Sequence, residues 1–123
     1  MGNERGQATL ETALLLPVLA LLIAALVQVA LLGVDQIRLW HAVREGARTA
    51  AVTAEKSRIE RAVERSGLDG VKVSVSPRPA YRRAGRPVTV SITYSPRWTV
   101  PLVDRMLGAE PMEASASMRI EQP

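Results

Sequence analysis

Glu11 stands at the mouth of an apolar run, five residues after Gly6, which itself follows Arg5. From Thr12 to Val34 the chain carries no charged residue. A carboxylate beside lipid is costly, on the order of 2.5–3.5 kcal/mol at a helix centre and less at its edge. A plain membrane anchor gains nothing from an acid there. The chemistry that suits Glu11 is ion pairing with an amine brought close to the membrane surface, which offsets its desolvation.

Other chemistry-bearing residues are sparse. His41 is the single histidine and there is no cysteine, so a packed or interfacial histidine is expected rather than a metal ligand. Without cysteine there is neither a disulfide framework nor a thiolate site. No nucleophile–base pair, phosphate loop or paired carboxylates stand out, so neither an enzyme nor a cofactor is expected. Arg78, Arg82, Arg83 and Arg86 surround Tyr81 between Pro77 and Pro87, and the formal charge is +4. The simplest reading of that tract is a solvated connection; the sharper one is contact with a polyanion such as a phosphate backbone or anionic lipid.

These residues need elements to hold them. An uncharged stretch of roughly 20 residues is long enough to cross a bilayer as a helix. It is too long for a secretory h-region, and no polar cleavage region follows it. Beyond Val34 the pattern stays helical to about Val52, which predicts a helix about 65 Å long from Ala8. Trp40 suits the membrane interface. Pro17 removes one hydrogen bond and predicts a kink or local unwinding. Ala42, Gly46 and Ala50 recur every four positions and form a small-residue stripe for close packing.

A second helix is expected over Ala54–Ser66, with Thr53 as N-cap and Gly67 as stop. Three strands follow from alternation: Val71, Val73 and Val75; then Val88, Val90, Ile92 and Tyr94; then Met112, Ala114, Ala116, Met118 and Ile120. Leu102, Val103, Met106 and Leu107 predict a short amphipathic turn ending at Gly108. A sheet with one apolar face must cover it, and the two helices are the available cover. The fold class is therefore α+β, a long N-terminal transmembrane helix carrying a small three-stranded antiparallel sheet. The expected divisions are a leader over 1–6, the membrane-spanning and extended helix over 7–52 (span about 12–34), and a small α+β domain over 53–123.

The stretch Arg5-Gly6-Gln7-Ala8-Thr9-Leu10-Glu11 resembles the type IV prepilin processing motif. Two further blocks agree in order and spacing: Ala13-Leu14-Leu15-Leu16-Pro17-Val18, and Ala42-Val43-Arg44-Glu45-Gly46-Ala47-Arg48. Together, from Arg5 to about Val52, they resemble the TadE-like family, minor pilins of tight-adherence (Flp) pilus systems. Thr12 stands where the major pilins of such systems carry a tyrosine after the glutamate, which favours a minor pilin or pseudopilin.

The resemblance implies cleavage after Gly6 by a membrane prepilin peptidase, and pairing of Glu11 with the freed Gln7 amine of a neighbouring subunit. It also implies a pilin-like fold, a single pass through a bacterial cytoplasmic membrane with the C-terminal domain outside, and pilin and pilus-assembly proteins as partners. Nucleic acid is not expected among them. The positive charges near the membrane, Arg5 on one side against Arg38, Arg44 and Arg48 on the other, favour the opposite orientation. The outward domain is nonetheless expected, because the processing motif must meet a peptidase at the cytoplasmic face. The alternative is a single-pass adaptor or sensor whose small extracytoplasmic domain binds a partner.

Overall fold

The structure is a computed structural model that describes residues 3–97, 105, 108 and 110–121, with side chains from residue 6 onward. Helix α1 runs over Asn3–Val52 and α2 over Lys56–Glu64. Strands β1 (Lys72–Ser76), β2 (Pro87–Tyr94) and β3 (Met112–Arg119) form one sheet in the order β1-β2-β3. Both pairings are antiparallel, with Val73 opposite Ile92 and Val90 opposite Ala116. The α+β class and the three expected strands are observed. The amphipathic turn expected at Leu102–Leu107 lies outside the described residues.

The described residues form two compact units, one comprising residues 3–31 with 105 and 108, the other 32–97 with 110–121. In the first, α1 exposes Leu10, Leu14, Leu15, Leu16, Val18 and Leu19 by half or more of their surface. Hardly any of its apolar window is buried within the protein, so it is not the core helix of a soluble fold. By length and composition it can cross a membrane. Pro17 lies inside α1, and the helix continues through it without a break. The helical backbone also begins at Asn3, within the stretch expected as a leader.

The second unit has a core built from the end of α1, α2 and the sheet. From Leu39 onward α1 buries Leu39, Ala42, Val43, Ala47, Ala50 and Ala51, a spacing of three and four that lays one helical face inward. That face meets the apolar row of β2, in which Val88, Val90 and Ile92 are wholly buried. Ile59, Ala62 and Val63 of α2 complete the cover, with Ala114 and Ile120 from the last strand region. Val71, Val73 and Val75 pack against the edge of this core and stay partly exposed.

Helix α2 starts later than its sequence suggests. Its N-cap residue is Glu55, which makes no side-chain capping bond, whereas the Thr53 hydroxyl accepts the Glu55 N–H at 3.2 Å. Thr53 therefore closes the turn after α1 instead of opening α2. The Glu55 carboxylate faces its own helix: it accepts the Ser57 hydroxyl at 2.7 Å and lies 2.9 Å from the Arg58 guanidinium. The Ser57 hydrogen bond and the nearby Arg58 and Arg61 charges hold its pKa below the ordinary carboxylate value. The helix ends at Glu64, two residues short of the expected Ser66, and the chain then turns through Gly67 at φ +76, a left-handed conformation that glycine adopts without penalty.

Candidate functional site

At the start of α1 the backbone of Gly6 is exposed, and nothing lies within 4 Å of where a Cβ would sit. Glu11 is exposed as well, and among the described residues no ion pair involves it. Gln7 and Glu11 are four residues apart and so share one face of the helix, separated by about 6 Å along its axis. Thr12 sends its hydroxyl back to the Ala8 carbonyl at 2.9 Å and presents no free donor to a neighbour at that point. Pro17 follows on the exposed apolar stretch.

The stripe of small residues lies elsewhere, in the second unit. Ala42, Gly46 and Ala50 are buried. A Cβ at Gly46 would sit 3.0 Å from Val63 Cγ2 and 3.4 Å from Val90 Cγ1, so α1 approaches both α2 and β2 at this residue. Within the chain, then, these residues pack against its own helix and sheet.

The four arginines of the β1–β2 connection divide into two kinds. Arg78, Arg83 and Arg86 are exposed and join no ion pair among the described residues. Arg82 turns inward and is 7% exposed. Its Nη1 donates to the Thr53 carbonyl at 2.9 Å and the Ala50 carbonyl at 3.4 Å, and its Nε donates to the Pro77 carbonyl at 3.3 Å. The last carbonyls of a helix have no intrahelical partner, and a cation suits the negative end of its dipole. Arg82 fills both needs at the end of α1. Burial lowers its pKa, and a guanidinium remains charged all the same. Its Nε and Nη1 donors are engaged by backbone carbonyls, which sets it apart from the three exposed arginines of the tract.

Two neighbouring bonds hold the same end of the helix. Glu121 N–H donates to the Ala51 carbonyl, and Thr53 N–H to that of Thr49, both at 2.9 Å. The connection is pinned on its other side, where Gly85 N–H donates to Ile120 O and Ile120 N–H to Arg86 O. The exposed arginines therefore project from an anchored loop.

Asp35, the first charge after the apolar run, accepts the Tyr94 hydroxyl at 3.1 Å. This bond ties α1 to the end of β2 across 59 residues of sequence. Burial, reinforced by the Asp35 charge, raises the pKa of Tyr94 above its ordinary value of 10.0. His41 is exposed on α1. Among the described residues, no group of three or more His, Cys, Asp or Glu is placed to hold a metal.

Similarity to a known family lies in the sequence of α1. Residues 6–48 match the family model described as TadE-like protein. The resemblance read from the three separated sequence blocks is borne out over this TadE-like stretch, about a third of the chain. It contains Gly6, Glu11, Pro17, Ala42 and Gly46 and ends before Ala50; α2 and the whole sheet lie outside it. No curated protein matches the chain, and no solved structure does.

Proposed function

We propose that this chain is a minor pilin or pseudopilin of a tight-adherence pilus, made as a membrane precursor and cut after Gly6 by a prepilin peptidase. The observation that carries the reading is the TadE-like match over residues 6–48, which coincides with a helix whose apolar surface the protein leaves uncovered. Such a surface needs either lipid or other helices. A pilus subunit needs both in turn, lipid while it is stored and neighbouring helices once it is assembled.

The mechanism is structural. Cleavage requires extended backbone at Gly6, and the first turns of α1 must open to provide it. Glycine weakens a helix by about 1 kcal/mol relative to alanine, which eases that opening. The cut turns Gln7 into a new amino terminus on the same helical face as Glu11. A neighbouring helix shifted by one turn then meets the carboxylate with its own amine. The pair offsets the cost of Glu11 near lipid and sets the register between subunits.

The unit that contains residues 32–97 and 110–121 faces outward from the cytoplasmic membrane in this reading. Arg38, Arg44 and Arg48 belong to that folded unit. Charges in long translocated domains weigh little in orienting a span, which limits their pull in the opposite direction. The test is complementation of piliation in a strain lacking the gene. The intact chain should restore pili, and Gly6→Ala and Glu11→Ala should fail or fall well short. Full restoration by both variants would instead favour a membrane-anchored adaptor acting through its outer domain.

A further inference from the structure

The sheet has an edge at β1 that no other described residue closes. β1 pairs with β2 on one side only, and among the described residues nothing hydrogen-bonds its other side. In an antiparallel ladder alternate residues turn their N–H and C=O groups outward, so this edge offers donors and acceptors to an added strand.

Beside the edge lies a cleft of about 270 Å³, lined by Ala54, Lys56 and Ile59 on one side and by Val73, Val75 and Arg78 on the other. Strand addition needs this combination, a free backbone edge for affinity and a pocket for alternate side chains for selectivity. Val73 and Val75 point to the core-facing side of β1, so every second side chain of an added strand would face the same way and one could enter the cleft.

Charge selects the occupant. Residues 70–103 contain Lys72, Arg78, Arg82, Arg83, Arg86 and Arg97 and no acid. Lys72, Lys56 and Arg78 are exposed along the edge and at the rim of the cleft. Among the described residues Lys56 pairs with Glu60 at 3.4 Å, in a solvent-exposed pair, and no ion pair involves Lys72 or Arg78. A short edge strand carrying a lysine is how sheets deter casual pairing with apolar strands. The same lysine attracts an acidic one.

From the free edge, the apolar cleft and the exposed cations, we infer that β1 docks an extended acidic segment of a partner protein, with an apolar side chain between its acids seated in the cleft. The surface lies in the part of the chain outside the TadE-like match, and the inference does not rest on the pilus reading.

The experiment uses the full chain in lipid nanodiscs and two labelled nine-residue peptides, one alternating Glu with Val and the other Lys with Val. Fluorescence anisotropy gives affinity, and amide hydrogen exchange gives location. The acidic peptide should bind about tenfold or more tightly than the basic one, and should slow exchange at Lys72–Ser76 but not in β3. In the Lys56→Glu/Arg78→Glu double variant the preference should reverse. Both residues are exposed, so the fold should persist, and the single Arg78→Glu variant provides the same reading should the double one unfold. Equal affinity for the two peptides, no binding of the acidic one, or protection away from β1 would each overturn the inference.

Discussion

Replacing Arg82 by methionine probes how the β1–β2 connection is held to the end of α1. Methionine keeps much of the apolar stem and removes every donor. The lost contacts are one good bond, to Thr53 O at 2.9 Å, and two long ones, to Pro77 O at 3.3 Å and Ala50 O at 3.4 Å. A hydrogen bond to a charged group contributes about 1.5–3 kcal/mol, and the long ones contribute less. Loss of the cation at the helix C-terminus adds about 0.3–1 kcal/mol. Some of the freed carbonyls regain water, so the net cost is about 2–4 kcal/mol. For a unit of this size that lowers Tm by roughly 10–25 °C, readable by scanning calorimetry of the full chain in detergent. Arg82→Lys should fall between the two, because an ammonium cannot reach all three carbonyls in a planar fork. Arg83→Met, altering an exposed neighbour, should stay within about 0.5 kcal/mol. High salt should leave the gap in place, since buried contacts are little screened. Equal stability of the Arg82→Met and Arg83→Met variants would refute the capping role.

Gly46→Val should destabilise the second unit by about 1–3 kcal/mol in denaturant titration, because its Cβ already meets Val63 Cγ2 at 3.0 Å before the γ carbons are placed. Stability should also depend on pH through Tyr94. Its folded pKa is raised, so its contribution is full below the ordinary value of 10.0 and declines as pH climbs from there through the folded pKa. Tyr94→Phe should lose the bond to Asp35, about 1 kcal/mol, and flatten that part of the alkaline slope. Glu11→Gln should still reach the membrane but enter pili poorly by immunoblot of sheared filaments, since the charge is what pairs. Normal incorporation of Glu11→Gln would count against the pairing.

Much of this architecture is legible because it repeats. Val88, Val90 and Ile92 alternate strictly and form the buried row of β2, and the uncharged residues from Thr12 onward announce a helix that needs lipid. What resists reading is set by contacts distant in sequence. Nothing in the tract Arg78–Arg86 marks Arg82 as different from Arg83; only the docking of the loop on the end of α1, about 30 residues earlier, turns one in and leaves the other out. The bond from Tyr94 to Asp35 is equally silent, because Tyr94 reads as one more apolar position in an alternating strand. Thr53 carries the chemistry of an N-cap, yet it bonds to the N–H just two residues on and α2 begins beyond it. Pro17 lies within α1, which stays helical on both sides of it.

The most direct test of the account is the N-terminal mass of the chain purified from cells with an active prepilin peptidase. The account predicts a mature protein that begins at Gln7, and an uncut form in cells without the peptidase. A chain that keeps Met1–Gly6 while the peptidase is active would contradict it.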